Sequence, residues 1–250
     1  AALHRAEQVV QQRVQAGLAS DATPFTLDTA RRVLERFDAY AGEWATARRE
    51  ACEATHVRHE QSEAVMLARV RCLEQGRHRL EGGVRLLSAA DAEVVQRAAD
   101  VVAQLPPLER CSEVAYVTAD VPPPADAETA RVVDSLQADL AQLPLLQAAA
   151  KYAEVEALGT KILEQVKPLG YAPPIVETLT WMADAHRARG EFDRALAEAR
   201  EAYVIVDEVS DEDVARLHRT MGTIFSERND PEAAQAEYRR AHALFERALG

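Results

Sequence analysis

Three short elements recur in the second half of this chain, 40 and then 39 residues apart: Ala149-Ala150-Lys151-Tyr152-Ala153-Glu154, Arg189-Gly190-Glu191-Phe192-Asp193-Arg194 and Arg228-Asn229-Asp230-Pro231-Glu232-Ala233. Each reads as a tight turn with a helical pattern before it and a second helix after it. The following helices carry small residues on one side: Ala195, Ala199 and Ala202 after the second turn, Ala234 and Ala241 after the third. Two antiparallel helices joined by a short turn approach closely only where side chains are small, and Ala183 and Gly222 supply that on the leading helices. Met182 and Met221, with Leu179 and Phe225, are placed to fill the space between successive pairs. A single hairpin cannot hide this apolar face, so the pattern predicts a stack of helix pairs. The first pair departs most from the pattern. Val155 and Gly159 stand where alanines stand in the next one, and Pro144 falls inside its leading helix, where it removes a backbone hydrogen bond and bends the rod.

The rest of the chain also reads as helix. Ala, Leu, Glu, Arg and Gln outnumber β-branched residues in nearly every window, and aromatics make up only 5% of the 250 residues. The fold class that follows is all-α: a bundle of long helices, then an α-solenoid of helical hairpins. Upstream of the repeats, Leu3, Ala6, Val10, Val14 and Leu18 recur at spacings of three and four, and Gly17 marks the end of that helix. After the loop Ser20-Asp21-Ala22-Thr23-Pro24, a second stripe runs through Leu27, Ala30, Leu34, Phe37, Ala41 and Trp44 to about Ala54. The polar run Thr55 to Ser62 predicts a bend, with Thr55 or Ser62 capping a helix. Val65, Met66, Arg69, Cys72 and Leu73 open the next helix, which continues past Gly82-Gly83 to about residue 90. Asp91 is placed to cap another, which Pro106-Pro107 ends.

Five of the eleven prolines lie between Pro106 and Pro124, with Val114-Ala115-Tyr116-Val117 among them. The run Val121-Pro122-Pro123-Pro124 reads either as a stiff polyproline II spacer or as an ordered connector packed on the helices. The expected organisation is a bundle over 1–105, a proline-rich connector over 106–127 and repeats over 128–250, at about 136–175, 176–214 and 215–250.

A net charge of −12 and a pI near 5.1 argue against nucleic acid, whose phosphates need a basic footprint, and equally against anionic membrane surfaces. No stretch approaches the roughly 18 apolar residues of a spanning helix. His4, Arg5 and Glu7 interrupt what would be the apolar core of a signal peptide. The expectation is a soluble segment without direct membrane insertion. Its start in Ala1-Ala2-Leu3 and its stop at Gly250 read as a piece of a longer chain, with further repeats beyond Gly250.

Residues 176 to 249 resemble tetratricopeptide repeats, of a longer variety near 40 residues rather than the common 34. A second resemblance covers most of the chain. It is carried by Trp44 and the run Ala51-Cys52-Glu53-Ala54-Thr55-His56-Val57-Arg58-His59-Glu60-Gln61-Ser62, then Cys72-Leu73, Leu105-Pro106-Pro107-Leu108-Glu109-Arg110-Cys111 and Val121-Pro122-Pro123-Pro124. This ordered set resembles the region C-terminal to the kinase domain in large myxobacterial Hanks-type serine/threonine protein kinases. That resemblance implies a sensor or docking region following a kinase domain and, often, one membrane span; cytoplasmic and extracytoplasmic placement both remain open. His59 stands where the resemblance leads us to expect glycine in a very tight turn.

The segment carries no catalytic apparatus of its own. A kinase needs a glycine-rich phosphate loop, a catalytic loop with its Asp and a metal-binding Asp-Phe-Gly, and none is present. His218-Arg219-Thr220 shares two letters with the catalytic loop and lacks the Asp that would accept the substrate proton. His56 and His59 with Glu60 and Glu63 lack the spacing of a zinc-protease site and read as a solvated bend. Cys52, Cys72 and Cys111 lack metal spacing; burial as small hydrophobes is preferred to a bridge, and Cys52 with Cys72 would be mismatched by about 10 Å along a hairpin. No catalytic residue, metal or cofactor is assigned.

In a tetratricopeptide array the leading helices line a groove whose polar positions meet the partner. The resemblance then places Glu177, Thr180, Asp184 and Arg187 of one repeat and Arg216, Arg219, Thr223 and Glu227 of the next on that surface. The mixture of signs points to a protein or peptide segment carrying both charges. The leading expectation is a non-catalytic regulatory and interaction region of a bacterial serine/threonine kinase. The alternative is a repeat-bearing, signal-dependent transcription regulator or free scaffold that binds a small ligand.

Overall fold

The computed structural model describes residues 24–119 and 121–249, and Ala16. The apolar pattern from Leu3 to Leu18 otherwise lies outside the described residues, as do Asp120 and Gly250. Among the described residues there are eleven α-helices, three short 3-10 segments and no strand. The all-α expectation therefore holds. Two compact units emerge, one comprising Ala1–Thr118 with Pro144–Ala150 and the other Ala119–Leu143 with Lys151–Gly250. The second boundary between them falls at Pro144, inside a helix.

In the first unit, α1 (Pro24–His56) and α2 (Glu63–Ser88) are long. The buried stripe of α1 runs through Ala30, Val33, Phe37, Tyr40, Trp44, Ala47, Ala51 and Ala54. Steps of three and four keep these residues on one face. Leu27 and Ala41, expected on that stripe, are exposed, and Val33 and Tyr40 take the buried places. The polar run after α1 is a tight turn in which His59 adopts φ 56°, the left-handed conformation that glycine favours. The turn expected from glycine is thus made by histidine. Ser62 caps α2 by accepting from Val65 N at 3.3 Å, whereas Thr55 donates its hydroxyl to Ala51 O. Gly82 and Gly83 do not interrupt α2. A Cβ on Gly82 would lie 2.7 Å from Leu145 Cδ1, and one on Gly83 would lie 3.2 Å from Phe37 Cζ, so both glycines make room for core side chains.

Asp91 caps α3 (Ala92–Gln96) through Val94 N at 2.9 Å. The expected single helix is broken at Arg97, after which α4 (Ala98–Val102) follows. The proline-rich stretch is more structured than a bare spacer. A 3-10 turn over Leu108–Ser112 packs Leu108 and Cys111 into the core, and α5 (Val114–Ala119) follows. Cys72 and Cys111 form a disulfide, which overturns the preference for three small buried thiols; Cys52 is free. The two cysteines meet because the chain returns over α2 between Pro106 and Ser112, a return that spacing alone does not disclose.

The helix α6 (Ala127–Ala148) contains Pro144. Then come α7 (Tyr152–Val166), α8 (Ala172–Ala188), α9 (Phe192–Tyr203), α10 (Asp211–Glu227) and α11 (Pro231–Leu249). The turns that close α6, α8 and α10 each contain one left-handed residue: Ala150 (φ 58°), Gly190 (φ 77°) and Asn229 (φ 63°). After α8 and α10 the stop is completed by paired backbone bonds, Gly190 N to Arg187 O with Glu191 N to His186 O, and Asn229 N to Ser226 O with Asp230 N to Phe225 O. The alanines Ala183, Ala195, Ala199 and Ala202 are fully buried, and Leu179 and Met182 are buried too, the latter over Gly159 of the preceding helix. Pro173 and Pro174 sit in the first turn of α8, where a missing N–H costs nothing. Ser210 caps α10, followed by Asp211, Glu212 and Asp213 at the positive end of the helix dipole.

Candidate partner-binding face

The leading helices α8 and α10 carry all eight residues expected to meet a partner. On α8, Glu177, Trp181 and Asp184 recur at spacings of four and three and are each partly exposed, so they share a face. Thr180 is one residue off that face. It is 2% exposed and donates its hydroxyl to Val176 O at 2.7 Å, so its expected place on the open surface does not hold.

Asp184, Arg187 and Glu227 come together. Arg187 donates Nε to Asp184 Oδ1 at 2.7 Å and Nη1 to Glu227 Oε1 at 2.6 Å, tying α8 to the far end of α10. Burial works to lower the Arg187 pKa, but the two carboxylates outweigh it and leave the guanidinium more firmly charged than usual. These three groups are engaged with one another.

Arg216 behaves differently. Its guanidinium carbon lies 5.7 Å from the centre of the Trp181 ring, while Glu212 and Asp213 stand 3.5 Å away on its own helix. A cation held over an indole and flanked by acids is oriented rather than neutralised by one tight pair. Trp181 was missed by the sequence reading. Its signal is the spacing of four from Glu177 and three to Asp184, which puts it on the same helical face as those two residues. Its indole Nε1 is buried without a hydrogen-bond partner.

Arg219 is exposed, and its side chain meets no acid among the described residues. Thr223 donates to Arg219 O at 3.0 Å and accepts from Tyr238 Oη at 3.3 Å. Glu227 is exposed beyond its pair with Arg187. The face therefore presents a closed ion triad at one end, and an oriented Arg216 with an uncommitted Arg219 along the rest.

Two buried histidines lie behind this face. His186 Nδ1 is 2.7 Å from Glu198 Oε2, and His218 Nδ1 is 2.5 Å from Glu237 Oε2. Glu198 and Glu237 are 39 residues apart, one repeat, yet each takes its histidine from a different turn of the leading helix. Burial pushes the Glu198 carboxyl up, against the hydrogen bond from His186. Glu156 of α7 accepts from Arg194 Nη2 at 2.6 Å and from Arg189 Nη1 at 2.8 Å, which links one hairpin to the turn of the next. The hydrogen bond from Arg194 is the main reason that its pKa falls from 4.5 to about 2. His218-Arg219-Thr220, the run with two letters of a kinase catalytic loop, is helical, with its first and last residues buried.

Among the described residues no helix is long and apolar enough to cross a membrane, and no group of three or more His, Cys, Asp or Glu is placed to hold a metal ion. The profile of the tetratricopeptide repeat family matches residues 174–247, which span most of α8 to α11. That match supports placing this stretch in the tetratricopeptide superfamily. No curated protein and no solved structure matches the chain significantly.

Proposed function

We propose that this chain is a non-catalytic regulatory and interaction region, and that the open face of α8 and α10 binds a polypeptide segment. One observation carries the reading: the family match over 174–247 coincides with two stacked hairpins whose leading helices expose Trp181, Arg216 and Arg219 on one side. Tetratricopeptide repeats serve protein–protein interaction, and that coarser role is supported by the match. The finer reading places the region behind a bacterial serine/threonine kinase domain. It is supported by the ordered resemblance across Trp44, Ala51 to Ser62, Cys72-Leu73, Leu105 to Cys111 and Val121 to Pro124.

The test selects binding sequences from a random peptide library displayed on phage, using the full chain as bait, and measures the winning synthetic peptide by calorimetry. Arg219→Glu should weaken that peptide at least tenfold with no change in far-UV circular dichroism. Arg216→Glu should do the same by removing the cation over Trp181. Undiminished affinity in both variants, with helicity intact, removes this face from the proposal.

A further inference from the structure

The segment from Ala103 to Ser112 forms a strap over the seam between α1 and α2. Three carbonyl oxygens of the strap accept from side chains below it: Pro106 O from Tyr40 Oη at 2.9 Å, Gln104 O from Arg79 Nη1 at 3.2 Å, and Cys111 O from Arg69 Nε at 3.3 Å. Leu105 and Leu108 turn into the core at 8% and 4% exposure. Gly76 leaves room for this closure, since a Cβ there would lie 2.5 Å from Tyr40 Oη and 2.9 Å from Leu108 Cδ2. The Cys72–Cys111 disulfide, with Cα atoms 5.5 Å apart, fastens the far end of the strap to α2. The two cysteines differ in exposure: Cys111 is 3% exposed, while Cys72 is only partly buried.

We propose that this disulfide is a redox clasp: oxidation locks the strap over the apolar seam, reduction releases it, and external thiols and disulfides enter at Cys72. The Cys72 thiolate attacks an external disulfide, forms a mixed disulfide and expels one thiol. The Cys111 thiolate then attacks Cys72 Sγ, closes the bond and expels the second thiol. Two electrons pass to the external disulfide, and the two cysteine protons leave with the released thiols or to solvent. Opening runs the same steps backwards, with the incoming thiolate on Cys72 and Cys111 as leaving group. The locked form belongs to an oxidising compartment. After reduction the strap keeps the hydrogen bonds from Tyr40, Arg79 and Arg69 and the buried Leu105 and Leu108. The helices beneath keep their own contacts through Phe37, Leu73, Leu87 and Val101.

The experiment uses the full chain with Cys52→Ala, so that the remaining thiol takes no part. The protein is oxidised with glutathione disulfide and its peptides are mapped without reduction, and hydrogen exchange is then followed with and without a phosphine reductant. The expected results are a linked Cys72–Cys111 peptide and, on reduction, at least tenfold faster exchange at residues 103–112, with α8 to α11 unchanged. A Cys72→Ser/Cys111→Ser variant should exchange like the reduced protein and ignore the reductant. With single variants, the glutathione adduct should form at least tenfold faster on Cys72 in Cys111→Ser than on Cys111 in Cys72→Ser. Absence of the linked peptide, equal exchange in the two redox states, equal acceleration across α1 and α2, or faster attack at Cys111 would each overturn the proposal.

Discussion

Gly222 and Tyr238 occupy the positions held one repeat earlier by Ala183 and Ala199, 39 residues back in each case. Both members of the earlier pair are fully buried alanines, whereas the later pair is glycine under an aromatic ring. A Cβ on Gly222 would lie 2.7, 2.8 and 3.2 Å from Tyr238 Cδ1, Cε1 and Cγ. Gly222→Ala therefore combines a helix-propensity gain of about 1 kcal/mol with an overpacking cost of about 2 kcal/mol. The ring is 40% exposed and can tilt outward, which keeps the cost from rising further. The expected net effect is a loss of about 1 kcal/mol. In a Tyr238→Ala background the obstacle is gone and the same change should gain about 1 kcal/mol, giving a coupling of about 2 kcal/mol between two touching residues. Urea unfolding of the full chain reports this through Trp181 emission in a Trp44→Phe background. Gly42→Ala, at an exposed helical site of the first unit with nothing within 4 Å, supplies the propensity term alone and is read through Trp44 emission in a Trp181→Phe background. Overpacking by the tyrosine ring is refuted if Gly222→Ala stabilises the unaltered chain as Gly42→Ala does, or if its effect is the same with and without that ring.

Glu156→Gln should cost about 1 kcal/mol at neutral pH, a figure discounted for solvent because the side chain is 29% exposed. The carboxyl is depressed from 4.5 to about 2 in the folded chain, so its contribution is complete above 4.5 and fades as the pH falls towards 2; urea midpoints of the two proteins should converge over that window. Ala150→Gly should stabilise by about 0.5–1 kcal/mol, because alanine at φ 58° bears a steric penalty that glycine escapes. Urea titrations in which His59→Gly gave no gain would show that the histidine is held there by contacts that outweigh its backbone.

The hairpins were legible because their constraint is local and repeated. Gly190 and Asn229 advertise a left-handed turn by residue type, and Ala183, Ala195 and Ala199 mark the close approach of two backbones. Ala150 gives no such signal, and only its spacing from the other two turns reveals it. The first unit was less legible. Tyr40 rather than Ala41 is buried because its hydroxyl finds Pro106 O, 66 residues further on. Arg69 is buried because Cys111 O and Gln61 Oε1 accept its protons. Both facts depend on the strap, which is fixed by tertiary packing rather than by a periodic pattern. Cys72 and Cys111 likewise looked like two small hydrophobes, because a pairing 39 residues apart has no signature without the path of the chain between them.

The residues of the proposed binding face are mixed in charge, but the sequence could not say which charges were already spent. Arg187 lies between Asp184 and Glu227 and has little left to offer an incoming carboxylate; to engage one it would have to leave two short hydrogen bonds of 2.6 and 2.7 Å. Charge-assisted bonds of that kind are worth more than a solvent-exposed pair, so exchange at this position gains little. Arg219 has no such bond to give up, and Arg216 is held by weaker contacts at 3.5 Å and by the Trp181 ring. A partner's acidic group therefore gains most at Arg219 and least at Arg187. The two arginines looked alike in the sequence, and the difference between them comes from Asp184 on the same helix and from Glu227, supplied by the next helix pair in the stack.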